Sequence, residues 1–107
     1  MTGIVIFDKD GTLVEPVSGP NLKHPRDQKI LAGADKAVQD LHERGMKLAM
    51  AYNEAAIETG HKTIEVAVAE CRYALELFPE IELATCSPTS NGLNCWMILR
   101  DEALEVQ

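Results

Sequence analysis

Apolar residues fall into short continuous runs and two helical stripes along the chain. Ile4, Val5, Ile6 and Phe7 are consecutive and largely β-branched, which predicts a buried strand of a parallel sheet. Ala34, Ala37, Val38 and Leu41 recur at helical spacing, and Gly45 stands where a C-terminal cap belongs. "MKLAMAY", residues 46–52, is a second strand, and "NEAAIETGHK" a loop with one short helical turn. Ile64, Val68, Cys71, Leu75 and Phe78 share one face of a second long helix over 63–78. Thr63 caps its start and Pro79 closes it. "IELATC" is a third strand, "SPTSNG" a turn-rich connection and "CWMIL" a fourth strand. Residues 14–30 carry Pro16, Gly19, Pro20 and Pro25 and read as a loop or flap in which helix and ladder are both disfavoured.

Strands that alternate with helices imply right-handed crossovers. The expected fold class is α/β, a Rossmann-like parallel sheet of three to four strands with flanking helices. Its 107 residues suit one domain over the whole chain. Such sheets bind ligands beyond the carboxyl ends of their strands. Asp8 and Asp10 follow the first strand directly.

Composition narrows the partners. A net charge of −7 without a Lys/Arg stripe repels phosphate backbones, so nucleic acid is not expected. No apolar run is long enough to cross a bilayer, and the first residues lack the basic and apolar segments of a signal peptide. A cytoplasmic protein with no membrane partner is the expectation. Cys71, Cys86 and Cys95 are an odd count, which argues against a disulfide framework.

Two nearby carboxylates repel unless a cation or a shared proton lies between them. A hard ion such as Mg²⁺ meets that need with oxygen ligands. One carboxylate then stays ionised as a nucleophile toward phosphorus while the other exchanges protons with the leaving group. A spacing of two places Asp8 and Asp10 on the same side of an extended segment, and Gly11 permits the tight turn that follows. The same residues also suit a plain Asx turn.

The longer string "FDKDGTLV" resembles the first motif of the haloacid dehalogenase-like phosphatases at Asp8, Asp10, Gly11, Thr12 and Leu13. The resemblance implies Asp8 as the nucleophile that forms an aspartyl-phosphate and Asp10 as the general acid/base. Mg²⁺ would be held by the Asp8 carboxylate and the Asp10 main-chain carbonyl. Residues 30–60 look like the next stretch of the branch containing the histidinol-phosphate and heptose-bisphosphate phosphatases, with Asn53 and Ile57 on its Asn and Ile. Gly11, Thr12, Asn53 and Lys62 are the implied substrate contacts, although Lys62 also reads as a solvated lysine at a helix start.

The chain departs from that pattern. Tyr52 stands where a Ser or Thr would bind phosphate, Glu54 replaces Gln, and Ala55 and Ala56 stand where Ser or Gly, then Gly, would let the backbone approach the ligand. The family's later Lys and acidic motifs normally lie beyond residue 107. Asp101, with Glu105, is the candidate for the missing metal ligand, and the same segment reads as a solvated helix start. Cys86 and Cys95 lie where this branch carries a zinc loop, but two thiols make no closed zinc site, and none is expected.

The expected function is Mg²⁺-dependent hydrolysis of a small phosphorylated metabolite. The alternative is a truncated, impaired domain that acts by association. A homodimer is expected, with Trp96, Met97, Ile98 and Leu99 as its contact surface.

Overall fold

The computed structural model describes residues 3–19, 22–87 and 96–99. The main sheet contains β1 (Ile4–Asp8), β4 (Lys47–Asn53), β5 (Leu83–Ser87) and β6 (Trp96–Leu99), in the order β1-β4-β5-β6. β1, β4 and β5 are parallel neighbours, as the alternation of strands and helices predicts. β6 joins antiparallel to β5. Only the eight residues 88–95 separate β5 from β6 in sequence, and a parallel return needs a crossover of a dozen or more. This is an α/β fold with a mainly parallel sheet, as expected.

The helices are α1 (Ala34–Glu43), the short α2 (Ala55–Glu58) and α3 (Ile64–Leu77). α1 ends where the sequence places its cap: Gly45 takes φ 85° and its N–H donates to the His42 carbonyl at 3.0 Å. Thr63 caps α3 by accepting the Val66 N–H at 3.2 Å. The core lies between α3 and the sheet, where Val68, Cys71, Leu75 and Phe78 meet Leu48, Met50, Ala84 and Ile98.

Two expectations are corrected. The segment 14–30 is not free of ladder: β2 (Val14–Pro16) pairs antiparallel with β3 (Gln28–Ile30) as a separate two-stranded sheet. Pro16 is tolerated because it sits at the end of a strand in a sheet made only of edges. Between the two strands, the Asp27 carboxylate accepts the main-chain N–H groups of Val17 at 3.1 Å, Ser18 at 3.0 Å and Lys23 at 3.0 Å, and the Ser18 hydroxyl. Gln28 pins the hairpin to α3 by donating to the Glu70 carbonyl at 2.9 Å.

The second correction concerns β1. It is the edge of the sheet rather than a fully buried strand, and Ile4 and Ile6 are 70% and 65% exposed. Val5 and Phe7 turn the other way and pack against the core. A continuous apolar run predicts two buried faces, but among the described residues only one face of β1 has a cover.

Candidate active site

Asp8 closes β1 and Asp10 lies just beyond it, so both stand at the carboxyl edge of the sheet, and both are exposed. The turn beyond them is tight. Gly11 adopts φ 79° and donates its N–H to the Val14 carbonyl at 3.0 Å, while Leu13 donates to the Lys9 carbonyl at 3.0 Å. Thr12 is exposed on this turn and Leu13 anchors it in the core. Asn53 is exposed at the end of β4, where it is in register with Ser87 of β5.

Strand alternation sends Lys9, between the two aspartates, to the opposite face. It is 0% exposed. Its ammonium reaches Asp10 Oδ1 at 2.8 Å and lies 4.4 Å from the centre of the Tyr52 ring.

Tyr52, on β4, is buried and its hydroxyl is fully engaged. It touches Glu54, contacts Glu70 Oε1 at 2.6 Å, and accepts Lys62 Nζ at 3.1 Å. Lys62 also donates to Glu54 Oε2 at 2.8 Å and to Glu70 Oε2 at 2.9 Å. It is therefore not a solvated lysine at a helix start. Two carboxylates from the β4–α2 loop and from α3 hold it partly buried. Burial pushes the Tyr52 phenol far above its ordinary range, and the two glutamates push it the same way. Burial also raises the Glu54 carboxyl, but the Lys62 ammonium and the Tyr52 hydroxyl outweigh it and leave the group below its ordinary value. For Lys62, burial works against the charge, and Glu54 and Glu70 more than offset it, so its affinity for the proton rises.

These groups border a cleft of about 580 Å³ lined by Asp10, Gly11, Glu15, Tyr52, Glu54 and Lys62, with Ala56 also on its wall. Of the sequence-predicted residues, Asp10, Gly11 and Lys62 line this cleft. Asp8, Thr12 and Asn53 are exposed at the same edge of the sheet or the turn beyond it. Asp101 and Glu105 lie outside the described residues, as does Cys95. Cys86 is buried in β5 as a free thiol, and Cys71 is core, as its place on the apolar face of α3 predicts.

No protein-family model and no curated protein matches the chain. Among solved structures, it is similar to the crystal structure of D,D-heptose 1,7-bisphosphate phosphatase from B. bronchiseptica complexed with magnesium and phosphate. The TM-score is 0.64 at 19% identity, over 88% of this chain and 55% of that one. At that identity the likeness is one of fold, an α/β unit with a mainly parallel sheet. The chain spans about half the length of that neighbour.

Magnesium, present in that neighbour, finds only part of a site among the described residues. The Asp8 carboxylate and the Asp10 carbonyl are at the right edge of the sheet. However, the Asp10 carboxylate is paired with Lys9, and no group of three His, Cys, Asp or Glu side chains gathers there.

Proposed function

We propose that the chain is a phosphomonoester-hydrolase domain of the haloacid dehalogenase type, acting slowly on a small phosphorylated metabolite in the cytoplasm. Asp8 is the nucleophile toward phosphorus, and Asp10 exchanges the proton of the leaving group. The observation that carries this reading is the placement of Asp8 and Asp10 at the carboxyl edge of a parallel sheet, with Asp10 on the wall of the cleft. Exposure keeps Asp8 open to an incoming phosphoryl group. Asp10 already holds a cation, Lys9, on one oxygen.

Slow turnover follows from the missing parts. Magnesium is the cation expected to neutralise the phosphoryl oxygens, and Asp101 is the proposed third ligand. The donor set that should face the phosphate is occupied by the protein's own carboxylates. Phosphoryl transfer depends chiefly on positioning and electrostatics, so losing one donor costs about a hundredfold in rate. The test is phosphate release from a generic phosphomonoester with and without Mg²⁺. Weak, Mg²⁺-stimulated release that disappears in Asp8→Asn supports the reading. Release unaffected by Asp8→Asn overturns it.

A second reading, association with another copy as a homodimer, is favoured by the exposed Ile4 and Ile6 on an edge strand. The contact surface is then β1; Met97, 62% exposed, lies on β6 at the opposite edge of the sheet. Ile98 is buried and does not belong to it, contrary to the sequence expectation.

A further inference from the structure

Three donors converge on one carboxylate at the wall of the cleft. Glu54 Oε1 accepts the Ala56 main-chain N–H at 3.0 Å. Its Oε2 accepts Lys62 Nζ at 2.8 Å and the Tyr52 hydroxyl. An amide, an ammonium and a hydroxyl pointed at one centre of negative charge is the donor set that suits a phosphate-like oxyanion. The backbone of Glu54 is fixed separately, since its N–H donates to the Ser87 carbonyl at 2.8 Å. The carboxylate is thus the part that fills the cradle, and the cradle opens on the cleft that Asp10 lines.

We infer that Glu54 is an internal oxyanion, a built-in competitor seated in an anion cradle formed by the Ala56 N–H, Lys62 and Tyr52. Once its charge is removed, the cradle takes inorganic phosphate or the phosphoryl group of a small phosphomonoester. Glu70 holds Lys62 from the α3 side, so the ammonium does not depend on Glu54 for its position, and the single Tyr52 proton is shared between Glu54 and Glu70. Removing the Glu54 charge leaves Lys9 and Lys62 against Asp10, Glu15 and Glu70, so the repulsion of an anion falls by one charge. The choice of phosphate rests on the phosphatase reading; the occupation of the cradle by Glu54 does not.

The experiment is calorimetric titration of inorganic phosphate, without metal, into the full chain and its Glu54→Gln and Glu54→Ala variants. A charge-assisted hydrogen bond corresponds to about tenfold or more in affinity, so at least one variant should bind phosphate about tenfold more tightly than the parent. Adding Lys62→Met should abolish the gain. Glu58→Gln, one exposed charge removed from neighbouring α2, should give none. Unchanged affinity in both Glu54 variants overturns the inference. So does an equal gain in Glu58→Gln, or a gain that survives Lys62→Met. Glu54→Gln keeps the shape and an acceptor for Ala56. If both variants fail to fold by circular dichroism, Glu54 is a structural brace and the inference is equally overturned. Binding is read without turnover, so a gain in phosphate affinity stands even if no phosphatase activity is found.

Discussion

Lys62 Nζ lies 2.8 Å from Glu54 Oε2, so the one lysine of the 52–62 segment is already neutralised by that segment. A lysine that steadies a phosphate must hold its charge toward the ligand. Here the charge is shared among Glu54, Glu70 and the Tyr52 hydroxyl.

Lys62→Met should destabilise the fold more than most substitutions at a partly exposed position. Glu70 is 1% exposed and would lose its cation, and an uncompensated buried charge costs about 3 kcal/mol or more. Urea unfolding of Lys62→Met checks this. Adding Glu70→Gln should recover part of the loss, because the stranded charge is then gone.

The pH dependence of stability follows from three groups. Asp27 is lowered to about 2, first by the Ser18 hydroxyl and then by the Lys23 N–H. A depressed carboxyl contributes stability above its unfolded value and loses it as pH falls through the folded one. The Asp27 contribution should therefore fade between about pH 4 and pH 2, and Asp27→Asn should lose that acid limb. Glu54 adds a loss on the same side, below its ordinary 4.5. Lys62 is raised, so its contribution is complete below its ordinary 10.5 and is lost as pH climbs beyond. Chemical unfolding across pH, in parent and Asp27→Asn, measures these limbs.

Thr63→Ala should cost about 1 kcal/mol, the loss of a helix cap, because the Val66 N–H then lacks its side-chain acceptor. The change is at the surface and should shift the melting temperature without altering the far-ultraviolet spectrum of the folded state.

If β1 is the contact between copies, Ile4→Lys with Ile6→Lys should shift sedimentation toward monomer, since charge on an edge strand blocks pairing. A parent chain that sediments as a monomer at high concentration removes the dimer reading.

The local features were legible where one segment carries its own signal. Gly45 ending α1, Thr63 starting α3 and the run of Ile4 to Phe7 are of this kind. The candidate site was legible only in part. Asp8 and Asp10 stand out because a motif holds them together. Lys9 was hidden between them, although strand alternation alone places it on the core face. Glu70 was missed because a charge on a helix reads as solvated; yet it lies on the Ala67, Glu70, Ala74 row, which helical spacing puts on the buried side. The β2–β3 ladder was invisible because its register joins Val14 to Ile30 across a proline-rich loop, and no local pattern records that pairing.

The central claim is that Asp8 attacks phosphorus, and the most direct measurement looks for the bond it forms. The chain is mixed with a phosphomonoester and Mg²⁺, quenched in acid, and reduced with borohydride, which converts an aspartyl-phosphate to homoserine. Peptide mapping should then find homoserine at position 8 and nowhere else, and none in Asp8→Asn. Homoserine at another aspartate, or phosphate release with no modified residue, would contradict the account, as would a complete absence of both.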